Sequence, residues 1–147
     1  MNSIDQNIEP KGLQSLVVWQ KAMQFAVTVN KTILIKIPDY EKWALIDQLR
    51  RSTLSIPANI AEGYGRFYFQ EGVRFAYIAR GSLEESLSHL VFAHEMGYIN
   101  KTEFDQCEKD LIELQRLLNG YINYLKKSKQ GINEPGFQYQ THLQENK

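Results

Sequence analysis

The sequence predicts an all-α fold: an antiparallel up-down-up-down four-helix bundle with helix two kinked at Pro57. Three observations predict it. Apolar residues recur every three or four positions in four separate stretches, as amphipathic helices require. Proline and glycine punctuate the chain between those stretches. No stretch reads convincingly as a strand. At 147 residues the chain suits one domain with a core of its own. Residues 1–12 read as a flexible N-terminal arm, 13–127 as the bundle domain and 128–147 as a disordered C-terminal tail.

The first stripe is Leu16, Trp19, Met23, Ala26, Ile33 and Ile37, with Asn30 filling one slot, and Pro38-Asp39 ends it. The second segment begins near Tyr40 with the stripe Leu45, Leu49, Ser52, Ile56 and Ile60, which passes through Pro57 without a slip. Pro57 removes one backbone donor and crowds the preceding turn, so a kink is expected, with Ser52, Thr53 and Ser55 placed to bond the freed carbonyls. Gly63 and Gly65 then stop the helix through a left-handed cap. The third stripe is Phe69, Val73, Ala76, Leu83, Leu87 and Leu90, with Arg80 in one slot and Gly97 as the C-cap. The fourth opens at Asn100-Lys-Thr-Glu-Phe and is the cleanest: Phe104, Cys107, Leu111, Leu114, Leu118, Tyr121 and Leu125. Several stripes are wider than a bundle seam needs, with Val17, Val18, Phe25, Val29, Phe75, Tyr77, Ile78, Ile112, Leu117, Ile122 and Tyr124 as the surplus. Self-association is a natural cover for such a surplus.

Composition narrows the function classes. Cys107 is the single cysteine and cannot close an internal disulfide, which suits a reducing compartment. No apolar run approaches a membrane span and the first residues lack the core of a signal peptide, so the expected location is the cytoplasm. Basic and acidic residues balance at 17 each, but unevenly. Residues 42–80 hold six basic side chains against three acids, and residues 84–113 hold eight acids against Lys101 and Lys109. That polarity suits nucleic acid, or subunits that pair by opposite charge.

Candidate chemistry is sparse. Gly63-Tyr-Gly65-Arg66 follows a helix and lacks the Lys-Ser/Thr of a phosphate loop, so it reads as a helix stop that leaves Arg66 at a turn. Asn59 and Glu62, three apart, read as a pair tying down the turn after the kink. Glu85 and His89 share a face, with His94 near, but a bundle metal site needs Glu-x-x-His on two helices, which this chain lacks. Cys107 sits on an apolar stripe, and His142, in the tail, is a poor catalytic partner for it. No catalytic residue, metal site, cofactor or small-molecule substrate is therefore expected. Arg66-Phe-Tyr-Phe69 and Arg74-Phe75 mix guanidinium with rings, a pattern suited to stacking on bases and contacting phosphate. The competing reading has the rings in the core and the arginines solvated or paired with Glu62 and Glu71.

Four runs occur in order: LVVWQKAM, LRRSTLSIPANIAEGYGR, RFAYIARGSLEES and LNGYINYLKK. Together they resemble the four-helix bundle proteins called 23S rRNA-intervening sequence proteins, over roughly residues 13–127. The resemblance implies a small antiparallel bundle that assembles as a ring, commonly a homopentamer. Some members are encoded inside insertions in large-subunit ribosomal RNA genes. A related branch, the accessory protein of diversity-generating retroelements, binds a reverse transcriptase and nucleic acid through a basic surface. No catalytic residues are implied. Departures are Arg80, where relatives often carry an aliphatic residue, the polar Ser86 and His89, and a net charge less basic than that of the nucleic-acid-binding branch.

The expectation is a non-enzymatic homo-oligomeric module engaging RNA or a ribonucleoprotein partner, with phosphate contacts from Lys21, Arg50, Arg51, Arg66 and Arg74. Pro57, Asn59, Glu62, Gly63, Gly65, Gly81 and Ser82 are its architectural residues. Ala79, Gly81 and Ser82 are small enough to admit the kinked helix closely. The alternative is a protein–protein scaffold without nucleic acid, held by charge complementarity between subunits or with a partner.

Overall fold

A computed structural model describes residues 12–66 and 68–128, and shows four long helices and, among those residues, no strand. They are α1 (Val17–Thr28), α2 (Leu45–Tyr64), α3 (Phe69–Glu95) and α4 (Lys101–Ser128). The expected arm and tail lie outside the described residues, except Gly12, which opens a short 3-10 turn, and Ser128, which ends α4.

The first helical segment is less uniform than its stripe suggests. After Thr28 it widens into a π turn over Val29–Ile33, then tightens to 3-10 over Leu34–Lys36. Two side chains compete there for helix carbonyls. The Asn30 amide donates to the Ala26 carbonyl at 2.7 Å, and the Thr32 hydroxyl to that of Thr28 at 2.6 Å. The change of winding turns Val29, Ile33 and Leu34 inward together. Between Pro38 and α2 lies a 3-10 turn, Asp39–Glu41, so α2 proper starts five residues after Tyr40.

α3 packs on α2 and on α4, and α1 packs on both α2 and α4. The centre is aliphatic: Leu49, Ile56, Ile60, Leu83, Leu90, Leu111, Leu114, Leu118 and Leu125 are essentially sealed from water. Each such side chain contributes about 1.5–3 kcal/mol on burial. Much of the surplus joins this core. Val18, Phe25, Val29 and Ile122 are buried, whereas Val17, Ile78 and Ile112 stay exposed.

The α2–α3 seam carries a ladder of small polar residues. Ser86 meets Ser52 at 2.9 Å, and Ser82 meets Ser55 at 2.9 Å. Numbers rise along α2 as they fall along α3. α2 continues past Pro57, which is buried. The upstream hydroxyls do not serve the carbonyl that Pro57 leaves free, that of Thr53. Thr53 donates instead to the carbonyls of Leu49 at 2.9 Å and Arg50 at 3.1 Å, and Ser52 to that of Leu49 at 3.3 Å. Thr53 also accepts from Asn30 at 3.2 Å, tying α1 to α2.

Helices approach closely at more than one place, and Ser82 meets α2 at Ser55. Ala79 and Ser82 are buried, but Gly81 faces open space. A second tight contact joins Gly63 to Gly72: a Cβ on Gly63 would lie 2.9 Å from Phe75 Cβ and 3.1 Å from the Gly72 carbonyl. Gly63 is therefore inside the helix for packing and does not end it. Gly65 caps α2 at φ −75°, an ordinary right-handed conformation that needs no glycine. Gly97 takes the left-handed conformation expected of it, at φ +75°. Asn100 and Glu103 form a reciprocal cap on α4, with bonds of 2.8 and 2.9 Å.

Candidate nucleic-acid interface

The turn from α2 to α3 and the facing groove of α3 and α4 gather cations around two rings. Arg66 follows the Gly65 cap of α2, and its guanidinium sits 5.2 Å from the centroid of Phe75, six residues into α3. Arg74 approaches the same ring at 5.9 Å. Arg66 is also held by two carboxylates, Glu62 at 2.6 Å and Glu71 at 3.6 Å. Arg66 is thus paired as the competing sequence reading has it, while Arg74 is exposed, beside the ring, with no carboxylate within ion-pair range among the described residues.

The second ring is Tyr77. Arg80 lies 4.7 Å from its centroid and Lys126 5.0 Å, and Lys126 also donates to the phenol oxygen. Arg80 bonds the neutral Asn119 of α4 at 3.1 Å. These contacts exist because α3 and α4 lie side by side in opposed order: residue 77 meets 126, 80 meets 119, and Glu84 accepts from Gln115 at 3.1 Å. The Lys126 hydrogen bond, aided by the charges of Lys126 and Arg80, holds the Tyr77 phenol below its ordinary pKa.

The expected phosphate-contacting residues do not form one patch. Arg66 and Arg74 come together at Phe75. Arg50 and Arg51 are exposed on α2, and Arg51 pairs with Asp47 at 3.1 Å. Sixteen residues separate Arg50 from Arg66, about 24 Å of helix. Lys21 lies in a different groove, between α1 and α4, beside Asp110 and Glu113. Asn59 and Glu62 do not pair with each other. Asn59 donates to the Ser55 carbonyl at 2.8 Å and hydroxyl at 2.9 Å, while Glu62 serves Arg66. Phe67 lies outside the described residues, Tyr68 is exposed, and Phe69 is half-buried.

Sequence reasoning left Tyr77, Asn119 and Lys126 out of the site. The local signal was a ring three residues before Arg80, which share one helix face. Lys126 is 49 residues from Tyr77, and only the pairing of α3 with α4 joins them.

Other candidates are accounted for structurally. Cys107 is buried, and burial pushes its thiol up to about 11. His89 pairs with Glu85 at 3.3 Å, and His94 stacks on Phe104 at 5.1 Å. Among the described residues no group of three His, Cys, Asp or Glu could hold a metal ion, and no helix is long and apolar enough to cross a membrane.

Comparison with known proteins places this geometry in context. The family model described as 23S rRNA-intervening sequence protein matches residues 14–120. Among solved structures, a protein of unknown function from the S23 ribosomal protein family of Bacteroides thetaiotaomicron superposes with a TM-score of 0.67 at 24% identity. The match covers 73% of this chain and 96% of that one, and it carries the fold. No curated protein matches the chain.

Proposed function

The chain belongs to the 23S rRNA-intervening sequence protein family, and on that premise we propose that it is a non-enzymatic, homo-oligomeric binding module of the cytoplasm that engages RNA or a ribonucleoprotein partner. The observation that carries the reading is four cations on two rings, Arg66 and Arg74 on Phe75 and Arg80 and Lys126 on Tyr77. Guanidinium and ammonium groups beside rings suit phosphate contact with adjacent base stacking. In this reading the helices form an antiparallel up-down-up-down bundle bent at Pro57; the opposed order of the α2–α3 and α3–α4 pairs supports the antiparallel arrangement.

The test is a titration of the purified protein with labelled single-stranded and duplex RNA and DNA, at low and near-physiological salt. Micromolar or tighter binding that weakens steeply with salt is the expected result. No binding at low salt overturns it.

A second reading, a scaffold for protein partners or for further copies of itself, draws on a different observation. Trp43 is 83% exposed and, with Leu45 and Phe92, lines an open groove between the start of α2 and the end of α3. Exposed apolar surface of this kind marks interaction sites. The resemblance makes a homopentamer the assembly to test, by measuring the mass of the native particle.

A further inference from the structure

The two ring clusters differ in charge balance. At Phe75 two cations are accompanied by two carboxylates, Glu62 and Glu71, both on Arg66. At Tyr77 sit two cations, Arg80 and Lys126. Among the described residues no carboxylate lies within ion-pair distance of Arg80 or Lys126. The nearest acid along α3, Glu84, is one turn from Arg80 and is engaged by Gln115 instead. Each cation lies within 5.0 Å of the Tyr77 centroid, so the two are at most about twice that apart. Two like charges on one ring without a counter-charge create a local positive potential that an anion relieves. Their donors are of complementary kinds: a planar guanidinium fork and a mobile ammonium.

Helix architecture explains only part of this. Lys126 and Lys127 complement the carbonyl end of α4. Arg80 is mid-way along α3, where no helix terminus calls for a cation, and its partner on α4 is a neutral amide.

We propose that Arg80 and Lys126, flanking Tyr77, form a phosphate-binding site, with Asn119 orienting the guanidinium and the phenol beside the bound group. The lowered Tyr77 phenol pKa is consistent with the positive field there. The inference rests on the nucleic-acid reading for the source of the phosphate, an RNA backbone, and not for the site itself.

The experiment uses two probes, inorganic pyrophosphate and a single-stranded oligouridylate, on the full-length protein and on Arg80→Gln/Lys126→Gln, with Lys101→Gln, at the opposite end of α4 from Lys126, as the comparison. Both probes are expected to bind the wild type and to lose about tenfold in the double variant, with the salt slope for RNA falling by roughly 1.4. Lys101→Gln should stay within about twofold, since that ammonium is away from both rings and paired with Asp105 at 2.8 Å. Should the double variant unfold, Lys126→Gln alone, at an exposed position, is expected to lose about threefold and Lys126→Arg to restore binding; no loss in Lys126→Gln overturns the site. RNA bound equally by wild type and double variant overturns the site and leaves the module reading standing. Pyrophosphate bound through these residues without RNA supports the site and overturns the RNA reading. Neither probe bound by the wild type overturns both.

Discussion

The Ser86 hydroxyl lies 2.9 Å from that of Ser52, with both side chains buried in the seam between α2 and α3. Ser86 is also 2.9 Å from the Ser82 carbonyl, and Ser52 keeps a bond of 3.3 Å to the Leu49 carbonyl. Neither hydroxyl is stranded when the other is lost. Ser86→Ala and Ser52→Ala should therefore each cost about 1 kcal/mol, nearer the typical value of a buried hydrogen bond than the penalty of an orphaned group. The double variant should cost less than the sum by roughly 0.5 kcal/mol or more, since the shared bond is lost only once. Denaturant unfolding of the four chains measures this. Strict additivity would mean that the bond contributes nothing.

Glycine substitutions should split by sign. Gly63→Ala places a methyl 2.9 Å from Phe75 Cβ and 3.1 Å from a backbone carbonyl. Overpacking of that kind costs about 1–3 kcal/mol and outweighs the helix propensity that alanine adds. At Gly81 and Gly120 an added Cβ meets nothing within 4 Å. There alanine should stabilise by roughly 0.5–1 kcal/mol. Thermal unfolding of the three variants compares them directly. If Gly81→Ala lowers the mass of the native particle instead, that glycine lies under a neighbouring copy.

Acid should weaken the start of α4. Glu103 is held below its ordinary value of 4.5 by the Asn100 backbone amide first and by Lys36 at 2.6 Å second. A carboxyl whose folded pKa is depressed contributes stability above its unfolded pKa and loses it as pH falls through the folded value. The loss therefore begins near pH 4.5 and continues below it. Glu103→Gln should flatten this limb of the stability–pH curve while leaving part of the cap, because the amide oxygen still accepts from Asn100. A limb of unchanged slope would assign the acid sensitivity to other carboxylates.

Cys107 should be silent towards alkylating reagents in the folded chain. Its side chain is buried in the stripe of α4, and burial, with Asp110 and Glu103 nearby, lifts the thiol to about 11. At pH 8 very little thiolate forms, and the reagent must wait for the helix to open. Labelling should follow global unfolding in denaturant. Rapid labelling of native protein would show that α4 separates from its neighbours on its own.

The helices were legible because each carries its burial pattern in its own sequence. Leu111, Leu114, Leu118 and Leu125 follow the 3.6-residue period, and all are buried. Gly97 and Asn100 bound helices through interactions only a few residues long. What escaped depends on neighbours. Gly63 and Gly65 look alike along the chain, and only the approach of Gly72 makes the first a packing residue and the second dispensable. Arg66 stands out as an arginine at a turn, but its availability is decided by Glu62 and Glu71. Arg80 reads as an interruption of an apolar stripe, and its meaning comes from Asn119 and Lys126 on another helix.

Arg50 and Arg51 offer a separate test of how far the basic surface extends. Both are exposed on α2, and the Arg51 side chain is 74% exposed despite its pair with Asp47 at 3.1 Å. An exposed pair of this kind adds little stability. Arg51→Glu also sets two carboxylates four residues apart, a small further cost within the helix. Arg50→Glu/Arg51→Glu should therefore keep native helix content by circular dichroism while weakening RNA binding and reducing its salt dependence. Arg50→Gln/Arg51→Gln, which removes charge without reversing it, should give the same direction with a smaller change. Binding that survives both variants would confine nucleic acid to the ring clusters at the other end of α2. A smaller native particle in either variant would place these arginines between subunits, where their charge meets the acidic residues 84–113 of a neighbouring copy.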